Sequence, residues 1–168
     1  ENLLGYQDAL RPEIYRKPTN GALDLMLRAR DDTERPYFLI LDEMNLSHVE
    51  RYFADFLSGL ETGQPCLPNL ERDDDGQYRI PPGVDPKLQI PTNLFVIGTV
   101  NIDETTYLFS PKVLDRANTI DFRVHTEDLQ VDYHKPEALP AGSSALVRGF
   151  LEISRDERFQ HEMPAPGR

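Results

Sequence analysis

The sequence predicts an α/β fold with parallel strands, a β-hairpin-like insertion and a C-terminal helix. Three observations lead there. Tyr37 to Leu41 and Leu94 to Thr99 are short apolar runs, the pattern of strands buried on both faces of a parallel sheet. A strongly amphipathic helical pattern follows the first run. The first run also ends on two adjacent carboxylates, Asp42 and Glu43, and in open α/β sheets chemistry gathers at the carboxyl ends of strands.

Taken in order, residues 1–20 are turn-rich, with Pro12, Pro18 and Gly21 as punctuation. Residues 21–30 place Leu23, Met26, Leu27 and Arg30 at helical spacing. A polar loop leads to the strand at 37–41. The spacing predicts one helix over 46–61, with Leu46, Val49, Phe53, Phe56 and Leu60 in a single apolar stripe and Gly63 as its stop. That stripe reads as core packing. Residues 62–90 are rich in Pro, Gly and Asp. Asp73-Asp74-Asp75-Gly76 is expected at a solvated hairpin tip between strands near 65–70 and 77–81. The three aspartates lack the ligand spacing of a calcium loop.

The second buried strand is followed by Asn101-Ile102-Asp103. Ser110-Pro111 then has the signature of a helix start, and that helix runs through Asp115-Arg116 to Ala117. Residues 119–124 alternate as a third strand would. Residues 125–142 read as a linker, and an amphipathic helix is expected from Ser143 to Phe159 through Leu146, Phe150 and Ile153, before a frayed tail. The expected organisation is therefore a core over 1–124, a linker over 125–142 and a terminal helical segment over 143–168.

The chain has 168 residues with 39% hydrophobic and 28% charged content, which suits one globular domain with a real core. Its formal net charge of -11 argues against the segment as a whole gripping a nucleic-acid backbone, which needs clustered cations. The single Cys66 supports neither an intrachain disulfide nor a cysteine metal site, and is compatible with a reducing, cytoplasmic setting. His48, His125, His134 and His161 are scattered and make no metal cluster. No apolar run approaches the length of a membrane span.

Read by itself, the Asp42–Glu43 pair has two meanings. Two acids at a strand end are what a magnesium-nucleotide hydrolase needs, one to hold the metal and one to polarise water. A core strand followed by a solvated acidic turn looks the same. The wider order is strand with Asp-Glu, helix, excursion, strand with Asn, helix with Arg, strand. With FLILDEMN at 38–45, VERYFADFLSGLE at 49–61, NLFVIGTVNIDETTYLFSPKVLDRAN at 93–118 and, more weakly, NLLGY at 2–6, the chain resembles the AAA+ superfamily of ring-forming P-loop NTPases. It is most similar to the McrB-type branch of the dynein-related group, the methylcytosine-dependent restriction motors.

The resemblance implies a partial P-loop NTPase core of three layers. It makes Asp42 the Walker B aspartate that holds Mg²⁺ mainly through water, and Glu43 the residue that orients the attacking water. It makes Asn101 the sensor between the γ-phosphate and that water. It makes Arg116 an arginine finger reaching the nucleotide of a neighbouring subunit; the plainer reading is an arginine at a helix C-terminus, paired with Asp115 or Asp121. Asn45 and Asp103 are further candidates near the nucleotide, although Asp103 equally suits a turn cap. The implied ligands are Mg²⁺ with ATP or GTP. The implied partners are identical subunits in a ring, with a nuclease subunit and DNA engaged through other regions.

No glycine opens the pattern G-x-x-x-x-G-K-[ST] that cradles phosphates. The resemblance would place that segment before Glu1, in a strand central to the sheet. This chain alone is therefore expected to be inactive. Two functions compete: an AAA+ motor that hydrolyses a nucleoside triphosphate to remodel or translocate a macromolecule, and an AAA+-derived interaction module without turnover. A small metal-dependent hydrolase using Asp42 and Glu43 lacks a histidine set or a nucleophile motif.

Overall fold

A computed structural model describes residues 3–101, 107–122 and 138–156. Its helices and strands fall around two apolar clusters. β3 (Tyr37–Leu41) and β8 (Leu94–Gly98) pair in parallel, with Tyr37 opposite Leu94 and Leu41 opposite Gly98. Helix α1 (Ala22–Asp31) packs on this pair. Because its apolar residues cover more than one stripe, α1 serves both clusters. Ala22, Met26 and Ala29 join Leu39, Val49, Phe53, Phe56 and Leu94. Leu23 and Leu27 join Leu70, with Tyr15 and Tyr78 against them.

The second cluster lies under an antiparallel sheet of order β1-β2-β6-β5, built from Tyr6–Gln7, Ile14–Arg16, Tyr78–Arg79 and Glu71–Arg72. The expected hairpin tip is present between β5 and β6. Asp73 does more there than meet solvent: it accepts from the Gln77 amide at 2.7 Å and pairs with Arg79. The expected strand near 65–70 is displaced. β4 (Leu67–Pro68) pairs instead with β7 (Lys87–Leu88), because the tight turn is already closed by β5 and β6.

The single helix expected over 46–61 is broken into three pieces. A 3-10 turn covers Met44–Leu46, α2 covers Val49–Tyr52 and α3 covers Ala54–Thr62. Ser47 is extended, and Phe53 leaves helical geometry at φ -120° and ψ 10°. Tertiary contacts fix the breaks. The Tyr52 hydroxyl donates to the Met44 carbonyl at 2.9 Å, and the Phe53 and Phe56 rings stack at 4.4 Å. Val49, Phe53 and Phe56 are buried as the stripe requires, whereas Leu46 and Leu60 are exposed. Within α3, Gly59 admits the Cys66 side chain, whose Sγ would lie 2.3 Å from any Cβ placed there. Burial, with Asp55 as a lesser cause, pushes the Cys66 thiol above its ordinary pKa, so it is a packing group rather than a nucleophile.

The third strand expected over 119–124 does not form in its described part, 119–122. Ile120 is 75% and Phe122 86% exposed. Alternation alone does not supply a neighbouring strand edge, and the exposed backbone here is left open to solvent. α4 covers Pro111–Leu114 behind the Ser110 cap position. α5 (Ala145–Arg155) is shorter than expected, and its buried residue is Leu151 rather than Leu146 or Ile153. Phe150 instead lies over Phe38 and Phe95 of the parallel pair, at 5.9 and 4.7 Å between ring centroids. Most of the expected linker, and the tail, lie outside the described residues. Among the described residues no helix is long and apolar enough to cross a membrane.

One buried polar side chain ties the parallel pair to α1. Asn93 immediately precedes β8, and its Nδ2 donates to the carbonyls of Ala29, Asp32 and Arg35 at 3.0, 2.8 and 2.8 Å. The Asn93 carbonyl in turn accepts the Tyr37 amide at 2.8 Å. Asn93 thus closes the C-terminus of α1 and starts the register of β3. Asn93→Ala leaves buried carbonyls unpaired and is expected to cost about 2–3 kcal/mol, read as a lowered urea midpoint with an unchanged slope.

Candidate active site

The register of the parallel pair decides what meets at its carboxyl end. With Leu41 opposite Gly98, the next residues out are Asp42 on one strand and Thr99 on the other. The Thr99 amide donates to the Leu41 carbonyl and the Met44 amide to the Thr99 carbonyl, each at 3.0 Å. The ladder therefore continues one step past the strands. Gly98 makes this possible: a Cβ there would stand 2.0 Å from the Met44 Sδ.

Thr99 connects both acids. Its hydroxyl accepts the Glu43 amide at 2.8 Å and donates to Asp42 Oδ1 at 2.5 Å. Asn101 reaches the other carboxylate, with Nδ2 3.0 Å from Glu43 Oε1. Asn45 is buried beneath and donates from Nδ2 to the Asn101 carbonyl at 2.8 Å. Its Oδ1 is buried without a partner among the described residues. The Asn45 carbonyl accepts the Tyr107 amide at 3.0 Å, and the Tyr107 ring lies 3.9 Å from that of His48. His48 sits at the N-cap of α2, exposed.

Glu43 is the one described non-glycine residue with positive φ, at φ 48° and ψ 46°. A left-handed conformation costs an ordinary residue about 1–2 kcal/mol. It turns the chain off the strand end so that the carboxylate faces Asn101 while the amide reaches Thr99. Such strain persists where the surroundings over-determine it, and it clusters at functional sites.

Asp42, Glu43, Asn45 and Asn101 are thus brought together, with Asp42 and Glu43 exposed at the rim. Asp103 lies outside the described residues. Arg116 is placed apart from this group. Its guanidinium forms an ion pair with Glu61 in the last turn of α3 and donates from Nη1 to the Lys112 carbonyl. The side chain is 17% exposed, and Nε is buried without a partner among the described residues. The partner is thus Glu61 rather than the Asp115 or Asp121 of the plainer sequence reading.

Thr99, Asn93 and Glu61 escaped sequence reasoning. Thr99 had a signal: it is the polar residue that closes the second run, as Asp42 follows the first. Glu61 had none, because its pairing depends on where α4 docks.

Chemically, a carboxylate and a neutral amide within hydrogen-bond reach at an exposed rim can share a water. The carboxylate draws its proton and the amide N–H supports its oxygen. Among the described residues no group of three or more His, Cys, Asp or Glu could cage a metal. A single strand-end carboxylate does fit Mg²⁺, which keeps several waters and takes one or two carboxylates. Comparison with protein-family models, curated proteins and solved structures finds no match.

Proposed function

We propose that this chain carries the hydrolytic edge of an AAA+-type nucleoside triphosphatase that acts on ATP or GTP in a ring of identical subunits. Turnover would drive remodelling or translocation of a macromolecule. The observation that carries the proposal is the contact between Asn101 Nδ2 and Glu43 Oε1, at 3.0 Å beside Asp42. Two acids in a solvated turn need no such partner. Here their rotamers are set by groups on the neighbouring strand.

Asp42, whose carboxylate Thr99 fixes in place, would be the residue that holds Mg²⁺. The metal, when bound, would offset charge on the phosphates. Glu43 takes the attacking water's proton, and Asn101 steadies that water without adding negative charge. Arg116 acts on a neighbouring subunit's nucleotide. A DNA restriction setting with a separate nuclease subunit is the narrower form, supported by the sequence resemblance.

Phosphate release by the assembled, full-length protein tests this. Asn101→Ala is expected to lower turnover by about 10²–10³, and chelation of Mg²⁺ to abolish it. Equal turnover by the two proteins rejects the Asn101 role, and no hydrolysis by the unaltered protein rejects the enzyme. One observation favours the module without turnover: the 168 residues hold no G-x-x-x-x-G-K-[ST] stretch to cradle the phosphates.

A further inference from the structure

A cavity lined by none of the carboxylate-rim residues lies elsewhere on the molecule. It is an open groove of roughly 1120 Å³ between α1 and the antiparallel sheet. Its wall includes the C-terminal half of α1, which leads through the 32–36 loop into the start of β3. Asp42 and Glu43 follow the opposite end of that strand.

The groove reverses the charge of the chain. Arg11, Arg16, Lys17, Arg28, Arg30 and Arg72 line it, against three carboxylates, Asp24, Asp31 and Glu71. Four of the six cations are already matched: Lys17 pairs with Asp24, Arg30 with Asp31, and both Arg11 and Arg16 with Asp8. Among the described residues Arg28 and Arg72 form no ion pair within 4.0 Å, although Arg28 acts electrostatically on Asp24. The Arg28 side chain is exposed on α1. Arg72 is held by a hydrogen bond from Nε to the Gly76 carbonyl at 3.2 Å. A Cβ at Gly76 would lie 3.1 Å from Arg72 Nη2, so the glycine lets the guanidinium fold against the turn. Tyr15 and Tyr78 complete the wall. Burial, then Asp55, pushes the Tyr15 phenol up to about 12, so it adds no negative charge at neutral pH.

We propose that this groove binds a compact polyphosphate anion of nucleotide size, with Arg28 and Arg72 taking its phosphates. Guanidinium forks match phosphate oxygens two at a time, and the volume exceeds what a nucleotide needs. Charge decides between a compact anion and a polymer. Over a Debye length of about 8 Å at physiological salt, a small anion meets mainly the groove's own cations. A nucleic-acid strand continues past the groove over a chain whose net charge is -11.

The phosphates can come from free polyphosphate or from a nucleotide, and calorimetric titration separates them. The protein is titrated in EDTA with inorganic tripolyphosphate, ATP and a short single-stranded oligonucleotide. Tripolyphosphate is expected to bind, more weakly as salt rises. Arg28→Ala and Arg72→Ala are each expected to weaken it about tenfold, and Arg28→Lys to restore part of the loss. EDTA removes the Mg²⁺ that the hydrolytic site requires, so binding that persists there keeps this groove separable from the hydrolytic one. Equal affinity for ATP identifies free polyphosphate as the source, and tighter ATP binding identifies a nucleotide. Absence of binding, binding unaffected by the double arginine variant, or tighter binding of the oligonucleotide overturns the proposal.

Discussion

Glu43→Gln is expected to slow nucleoside triphosphate hydrolysis by the assembled protein about 10²–10⁴-fold, the usual contribution of a positioned general base. Nucleotide binding is expected to persist. The substitution is informative because it changes so little else. A glutamine carbonyl can still accept the Asn101 Nδ2 proton that Oε1 accepts at 3.0 Å. The backbone bond to the Thr99 hydroxyl is untouched. Only the basicity of the group is lost. Single-turnover phosphate release measures the effect, and turnover within twofold of the unaltered protein would sink the assignment.

The left-handed backbone at Glu43 supplies an independent readout. Glycine adopts φ 48° without the Cβ penalty that glutamate meets. Glu43→Gly is therefore expected to hold or raise stability, by up to about 1 kcal/mol, while abolishing turnover. Stability and activity moving in opposite directions is the behaviour of a strained functional residue. A structural glutamate would lose both, which a urea titration beside the activity assay distinguishes.

Arg116→Ala is expected to lower turnover about 10³–10⁵-fold, the range for arginine fingers. The structure also offers the structural reading, since the guanidinium is paired with Glu61 and mostly covered. To reach a neighbour's phosphates, Arg116 must exchange Glu61 for phosphoryl oxygens. Two comparisons separate the readings. Glu61→Gln frees the guanidinium and is expected to retain activity; a structural pair would suffer equally from loss of either partner. Mixing Glu43→Gln with Arg116→Ala subunits is expected to restore turnover. Some interfaces then join an intact base on one subunit to an intact arginine on the next. Failure of the mixture to recover any activity rules out action between subunits.

The local part of the fold was legible in the sequence. The uninterrupted apolar runs do form strands, β3 and β8, but the burial on both faces expected of them is not realised: Leu39 is buried in the core, whereas Phe38, Ile40 and Ile97 are exposed. Helix α1 was legible because its periodicity holds over ten residues. The helix breaks at Ser47 and Phe53 were not, because the contacts that hold them come from Tyr52 to Met44 and from Phe53 to Phe56 within a packed cluster. The alternation over 119–124 misled for the same reason. Alternation states which face a strand would bury, not whether a neighbouring edge exists to pair with it.

The candidate site divides along the same line. The sequence by itself determined that two carboxylates end one apolar strand and that an asparagine lies just beyond another. Both follow from patterns a few residues long. Only the tertiary structure decided that the strands pair with Leu41 opposite Gly98. That register puts Thr99 between the two acids and Asn101 on Glu43, and Glu43 takes up the left-handed turn. Only the structure joined Arg116 to Glu61, and only the structure gathered cations from β2, α1 and β5 into one groove of a strongly acidic chain. Composition sums charge along the chain, whereas electrostatic interaction acts across space within a screening length.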